Sequence, residues 1–177
     1  MALKTMAVSS DGAWSEGWHT LTINNAKYGT WNDKRYLDLW FDGYPDTFNL
    51  RVFEATNKET HEEFAICRVF KLANAGIVDK VTSPSGKEAI QYDDNVSELI
   101  GKEVNGFFYK QKGDKKDFIK VSDRLAPVTQ EGEVISYTDK DVEYYKGLTQ
   151  KHYDEYINKS NAPTTSNSEI DEAHIPF

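Results

Sequence analysis

Residues 34–54 read KRYLDLWFDGYPDTFNLRVFE, and this stretch carries the pattern that decides the fold. Apolar and polar side chains alternate along residues 34–41 and again along residues 47–54, which is the period of a strand with one buried face. The separator DGYPD at residues 42–46 has the composition of a turn. The stretch therefore predicts two neighbouring strands whose apolar residues face one core.

The preceding and following segments predict a third strand and a helix. GWHTLTINNAKY at residues 17–28 alternates in the same way, and the GTWND after it is typical of a turn. THEEFAICRVFKLANAG at residues 60–76 changes to the helical period, with Thr60 and Glu63 at the spacing of a capping box and Gly76 as a C-cap. We expect three strands followed by one helix with a buried face.

The rest of the body predicts two further strands. Residues 78–94 are rich in turn formers and predict a loop or a loose hairpin, and residues 95–101 predict a short helix. Residues 102–112 and 116–128 have the strand pattern and are joined by GDK. Three strands, a helix and two strands are the order of an OB-fold, a mainly β, five-stranded Greek-key barrel with one helix between strands 3 and 4.

The chain divides into three predicted regions. Residues 1–128 form the OB-fold domain, residues 129–159 a helical extension with helical spacing from residue 138, and residues 160–177 a flexible acidic tail of disordered composition. The net charge is -8, and residues 130–177 contain ten Asp or Glu against four Lys. Most of the negative charge therefore lies in the C-terminal quarter, beside a nearly neutral body.

Composition excludes several classes of protein. Cys67 is the only cysteine, which rules out an internal disulfide and a thiolate zinc cluster and fits a reducing cytoplasm. No run of about 18 apolar residues occurs, so we expect a soluble intracellular protein. Gly86-Lys87 lacks the other residues of a phosphate loop, and the four histidines have no ligand spacing. We expect no enzyme, no metal site and no cofactor.

Rings and cations occupy the outward faces of the predicted strands. Alternation places the neighbours of the core residues outside, if the core consists of Leu21, Ile23, Leu37, Leu39, Phe41, Phe48, Leu50 and Val52. Rings stack on unpaired bases for about 1–3 kcal/mol each, whatever the base, and cations follow the phosphates. The predicted DNA-binding residues are Trp18, Trp31, Lys34, Arg35, Tyr36, Trp40, Arg51, Phe53, Phe107, Tyr109, Lys110, Lys112, Lys115, Lys116, Phe118 and Lys120.

A second interpretation of the outward rings stays open. The C-terminal helix, residues 78–94 or another subunit would then cover them, and the aromatic face would be an interface within a protein-interaction module or a recombination mediator. A nuclease on a barrel scaffold is a third alternative, but it requires a carboxylate cluster for magnesium that the sequence does not place.

The last nine residues, EIDEAHIPF, resemble the acidic C-terminal tip of bacterial single-stranded DNA-binding proteins. The tip departs from that pattern at Ala173 and His174, where the bacterial tip carries more aspartates. Residues 17–77 also look like phage replication proteins of this kind. The chain is therefore similar to bacteriophage-type single-stranded DNA-binding proteins, and the matched tip residues are Asp171, Glu172, Ile175, Pro176 and Phe177.

The resemblance implies a function. Such proteins coat single-stranded DNA during phage replication, recombination and repair, in the cytoplasm of the infected bacterium, without sequence preference or catalysis. Their acidic tip recruits replication or recombination proteins such as a polymerase, helicase, primase or recombinase. The terminal Phe and its carboxylate enter a basic-rimmed apolar pocket of the partner. A homo-oligomer is compatible with this function.

The charge of the tail predicts a competition with DNA. A segment with the negative charge of residues 130–177 can occupy a basic groove and leave when DNA arrives, because both ligands are polyanions. Deletion of residues 168–177 is expected to tighten binding to single-stranded DNA and to change its salt dependence. Titrations of both chains at several salt concentrations check this, and unchanged affinity and salt dependence would contradict it.

Overall fold

The structure is a computed structural model that describes residues 2–4, 14–84 and 86–158. Within these residues it contains seven strands and two α-helices, so the chain is mainly β. In chain order the elements are β1 (Gly17–Trp31), β2 (Lys34–Phe41), β3 (Leu50–Phe53), α1 (Ala65–Ala73), β4 (Ile77–Thr82), β5 (Glu88–Tyr92), a 3₁₀ helix (Val96–Leu99), β6 (Glu103–Gln111), β7 (Phe118–Val121), α2 (Asp139–His152) and a π-helical segment (Tyr153–Ile157).

The turn between β1 and β2 contains only two residues. Asn32 and Asp33 have φ angles of 49° and 63°, a conformation that Asn and Asp tolerate better than most residues. A two-residue turn with both φ values positive matches the twist of the strands it joins. It pairs Trp31 directly with Lys34. The first strand is therefore longer than the predicted residues 17–28 and carries Trp31 at its end.

Five strands form an antiparallel sheet in the order β3-β2-β1-β6-β7. The long connection from β3 to β6 brings β6 beside β1. In the part of the chain that the structure describes, β3 and β7 are the two edges of this sheet and do not pair with each other. The hydrogen bonds therefore define an open sheet and do not close it into a barrel.

The predicted core is confirmed. It gains five residues from α1, which are all buried in the same cluster: Ile66, Val69, Phe70, Leu72 and Ala73. Burying the larger of these side chains stabilises the fold by roughly 1.5–3 kcal/mol each. The eight residues predicted from strand alternation are all buried: Leu21, Ile23, Leu37, Leu39, Phe41, Phe48, Leu50 and Val52.

A β-bulge in β1 changes which residues face that core. The pairing with β2 shifts by one residue between Ile23 and Asn25, so the alternation is interrupted there. Beyond the bulge, Ala26 is buried opposite Leu39, and Tyr28 packs against the core opposite Leu37. Lys27, between them, turns outward, which uniform alternation along residues 17–28 does not predict.

Helix α1 begins five residues later than Thr60. The predicted capping box is wrong because the carboxylate of Glu63 alone caps the helix: it accepts hydrogen bonds from the backbone N–H groups of Ala65, Ile66 and Cys67 at 2.9–3.0 Å. The C-cap is Asn74, with a left-handed φ of 52°, rather than Gly76. Both corrections shorten the predicted helix and leave its buried face intact.

Two elements differ in size from the prediction. Residues 78–94, expected as a loop or loose hairpin, contain the ordered β4–β5 hairpin, so the structure has two strands beyond the expected five. The last predicted strand is only four residues long, because the chain leaves the sheet after Val121. Ala126 returns to exchange two backbone hydrogen bonds with Asn105.

The predicted C-terminal helix is confirmed as α2 and the π-helical segment. Thr138 and Asp141 form a reciprocal capping box at its start. Val142 and Thr149 are its buried residues, and Thr149 Oγ1 donates a hydrogen bond to the carbonyl of Arg124 at 3.0 Å. These contacts hold the helix against the outward side of the sheet near β1 and β6.

Candidate nucleic-acid interface

Three aromatic rings lie together on the outward face of β1, β2 and β3. Tyr36 pairs with Phe53 across the strands, and their ring centroids are 5.6 Å apart. Trp31 reaches Phe53 from the hairpin turn, with 6.2 Å between the ring centroids. Trp31 is 61% exposed and Phe53 is 36% exposed. We call Trp31, Tyr36 and Phe53 the ring cluster; it is an accessible aromatic surface.

The position of Tyr36 depends on Gly29. The two residues are directly opposite in the β1–β2 pair, and a Cβ atom at Gly29 would collide with the ring and hydroxyl of Tyr36. The ring therefore lies across the backbone of β1, as aromatic residues do over a strand glycine. This contact keeps Tyr36 half-buried and flat on the sheet.

Arg51 is exposed but is not an unpaired cation. Its Nε and one terminal nitrogen donate hydrogen bonds of 2.8 Å and 2.9 Å to the two carboxylate oxygens of Asp38, which is only 6% exposed. The hydrogen bonds that Arg51 donates to Asp38 raise the pKa of Arg51. The guanidinium carbon lies 3.8 Å from the ring centroid of Tyr36. Arg51 therefore extends the ring cluster as a planar surface more than as a free charge.

Two lysines flank the ring cluster on the same face. Lys34 is opposite Trp31, and Lys27 is opposite Asp38. Both are exposed. Lys27 was not predicted, because uniform alternation from Ile23 points it into the core; only the bulge turns it outward.

A cleft of about 590 Å³ separates the edge strands β3 and β7. We call it the edge cleft. Arg51 lines it from β3, so the cleft continues from the ring cluster. Lys120 is exposed, and Phe118 is 49% exposed. The other side is lined by Tyr109, Phe118, Lys120 and Ile157.

The turn between β6 and β7 is rich in cations. Residues 110–120 contain five Lys and two Asp, a local charge of +3. Lys116 lies over the exposed ring of Phe118, with its Nζ 5.7 Å from the ring centroid. The predicted cations Lys110, Lys112, Lys115 and Lys116 are all exposed, and they lie between Tyr109 and Phe118 in the chain, two residues that line the edge cleft.

The C-terminal helix covers three of the predicted DNA-binding rings. Phe107 is only 7% exposed, and the prediction that it faces solvent is wrong. Its ring contacts Trp18 at 5.3 Å and Tyr153 at 5.2 Å between centroids. Trp18 and Tyr109 are half-buried, with Lys146 over Trp18 and Tyr153 against Tyr109. The alternative interpretation, in which the C-terminal helix covers the outward rings, is therefore correct for Trp18, Phe107 and Tyr109.

Two further predicted residues, Arg35 and Trp40, do not join the ring cluster. Arg35 points to the opposite face, where its guanidinium lies 3.8 Å over the ring of Tyr28 and 3.7 Å from the carboxylate of Asp94. Burial raises the pKa of Tyr28 to about 12. Trp40 is half-buried, and its Nε1 donates a hydrogen bond to the carbonyl of Asp46 at 2.9 Å.

The predicted partner-binding residues Asp171, Glu172, Ile175, Pro176 and Phe177 lie outside the described residues. In residues 2–4, 14–84 and 86–158, no three His, Cys, Asp or Glu side chains are grouped to hold a metal ion. Among the same residues, no helix has the length and apolar composition needed to cross a bilayer.

Comparison with known proteins does not assign the chain to a family. No protein-family model matches the chain, and no curated protein matches it.

His152 is the last residue of α2, and the charges of two arginines and two carboxylates act on it. Its Nδ1 is buried and has no hydrogen-bond partner among the described residues. Burial lowers the pKa of His152, and the charge of Arg124 lowers it further. The remaining charges that act on it come from α1 and from both flanking segments: Arg68 lowers its pKa, and Asp123 and Glu155 raise it. Burial and the two arginines prevail, so the fold favours the neutral imidazole.

We expect acid to weaken the fold through His152. Because the pKa of His152 is lower in the folded chain, the unfolded chain binds a proton first, and the free energy of unfolding falls as the pH drops from about 7 to about 5. His152→Gln removes this contribution, so the variant is expected to lose less stability over that range. Denaturant unfolding at several pH values measures the difference.

His61→Asn is the matched control. His61 is exposed and has a positive φ of 63°, which Asn tolerates. This control is expected to keep the pH dependence of the wild type. An equal loss of stability in His152→Gln and wild type would exclude His152 as the cause.

Proposed function

We propose that this chain binds single-stranded DNA without sequence preference, along the ring cluster and the edge cleft. The observation that carries the proposal is the ring cluster itself: exposed Trp31 and Phe53 contact each other beside Tyr36 on a face flanked by lysines. Every base has a flat face that stacks on a ring, and this accounts for binding without preference.

The order of the strands supports an OB-type barrel as the scaffold. The neighbours β6-β1-β2-β3 are in the spatial order 4-1-2-3 of a Greek key if the β4–β5 hairpin is counted as an insertion. OB-folds bind oligonucleotides on strands 2 and 3, between the loops after strands 1 and 4. The matching positions here are the faces of β2 and β3, the turn after Trp31, and the lysine-rich turn after β6.

The local charge supports contacts with phosphates despite the net charge of -8. Charges are screened over about 8 Å at physiological ionic strength, so a phosphate beside the β6–β7 turn responds mainly to the lysines there. Lys27 and Lys34 offer further contacts on the β1–β2 side. A strand that crosses from one side to the other would pass over Arg51 and through the edge cleft.

The acidic tip completes the proposal. Asp171, Glu172, Ile175, Pro176 and Phe177 would recruit replication or recombination proteins to the coated strand, in the cytoplasm of an infected bacterium. This part rests on the resemblance of the tip alone.

Substitution of the exposed rings tests the interface. Trp31→Ala and Phe53→Ala are each expected to weaken binding of dT oligomers by about 1–3 kcal/mol, because each removes one stacking surface. Binding by the wild type is expected to quench tryptophan fluorescence, with most of the quenching lost in Trp31→Ala. Titrations with dT oligomers of increasing length, run against duplex DNA of the same length, measure both effects.

Tyr144→Ala is the control for these variants. Tyr144 is an equally exposed ring on α2, and its ring contact is with Tyr145 rather than with the ring cluster. We expect it to bind like the wild type. Failure of the wild type to bind dT at low salt would overturn the proposal and favour a protein interface instead.

The Arg51–Asp38 pair gives a prediction about salt. Asp38→Asn removes the charge that neutralises Arg51, so the face gains one positive charge. We expect tighter binding of dT at low salt and a log–log salt slope steeper by up to about 0.7, the value of one further phosphate contact on a single strand. Binding measured at three or more salt concentrations gives the slope.

Asp79→Asn controls for the change in net charge. Asp79 lies in the separate β4–β5 hairpin, outside the ring cluster and the edge cleft. It is expected to leave the slope unchanged. Weaker binding by a folded Asp38→Asn variant would show that Arg51 contributes only while Asp38 holds it in place.

A further inference from the structure

The rings beneath the C-terminal helix form a second aromatic surface. Trp18 of β1 is directly opposite Phe107 of β6, and both are on the outward side of the sheet. Tyr109 is two residues beyond Phe107 on the same strand and therefore on the same face. Tyr109 also lines the edge cleft. The covered rings are therefore continuous with the exposed interface.

The cover over these rings is held mainly at one end. The buried residues of α2 are Val142 and Thr149, whereas none of the five residues of the π-helical segment is buried. Tyr153 of this segment contacts two rings of the sheet: its ring centroid is 5.2 Å from that of Phe107 and 5.8 Å from that of Tyr109. The half-buried ring of Tyr153 thus packs against both Phe107 and Tyr109.

The position of the π-helical segment favours displacement by a ligand. π-helical turns are rare and occur frequently at functional sites. This one ends at Ile157, which lines the edge cleft together with Tyr109 and Phe118. A polymer lying in the cleft therefore meets the segment at its end, next to the ring of Tyr153.

We propose that Phe107 and Tyr109 are a second stacking surface for single-stranded DNA, which the Tyr153–Ile157 segment covers in the free chain, while Lys146 of α2 stays over the neighbouring Trp18. A strand long enough to leave the edge cleft displaces the segment, and its bases replace Tyr153 on Tyr109 and Phe107. This extension rests on the proposed function. It makes the length of the binding site depend on the helix end, because short strands occupy only the ring cluster and the cleft.

Hydrogen exchange on the full chain tests the displacement directly. Backbone amides of the Tyr153–Ile157 segment are followed without DNA, with a dT oligomer of about 5 nucleotides and with one of about 16, near the two ends of the range for one OB-fold. We expect faster exchange in this segment only with the longer oligomer. Unchanged or slower exchange with the longer oligomer bound would overturn the extension.

Substitution of Tyr153 gives an independent readout. A closed cover lowers the apparent affinity by the fraction of chains that are open, so removing its ring removes that loss. Tyr153→Ala is expected to bind the longer oligomer at least about threefold more tightly and the shorter one like the wild type. Fluorescence anisotropy of end-labelled oligomers measures both, with Tyr144→Ala as the matched control on the same helix.

The possible failures are distinct. If the wild type binds neither oligomer, the proposed function and this extension both fall. If it binds both, while Tyr153→Ala binds the longer oligomer no more tightly and exchange in the segment does not rise, only the extension falls. The exchange experiment uses the wild type, so it decides the matter even if Tyr153→Ala is poorly folded.

Discussion

The bulge in β1 is the constraint on which the candidate interface depends. Up to Ile23 the odd-numbered residues of β1 face the core, and beyond Asn25 the even-numbered ones do. The register shift therefore turns Lys27, Gly29 and Trp31 outward on the half of the strand that pairs with β2. Without it Trp31 would point inward, and Tyr36 would meet a side chain where it now covers Gly29. One inserted residue thus decides whether Trp31 joins Tyr36 and Phe53 on the outward face.

Stacking rather than net charge dominates the character of this face. Arg51 is paired with Asp38, so its contribution is a planar group against Tyr36. The unpredicted Lys27 and the turn lysines supply positive charge at the margins, where salt screens them. An exposed ring keeps its value at high salt, whereas a marginal lysine does not. In the proposed complex, this division would place bases in the middle of the surface and phosphates at its two ends.

Strand alternation predicted the core because each strand shows its apolar period locally, and all eight inward residues are buried. The features that failed depend on contacts between distant segments. Phe107 has the pattern of an outward residue, but Trp18 and the docked Tyr153 both pack against its ring. Arg35 was predicted as a turn cation that binds DNA. Its partners are Tyr28 on the neighbouring strand and Asp94, which is far away in the sequence. Glu63 has the correct spacing from Thr60 for a capping box, but its carboxylate accepts hydrogen bonds from the backbone N–H groups of Ala65 and Ile66 instead.

The two edges of the open sheet are short and carry charged side chains. β3 and β7 are four residues each, and Arg51 and Lys120 lie on them. Short edges with charged side chains resist pairing with another chain, because association would bury or crowd those charges. The same shortness leaves the edge cleft between them. A fully paired barrel would remove the exposed edges and the groove together. In the proposed complex, a strand of nucleotides would pass through this gap, between the aromatic residues of β3 and those of β6 and β7.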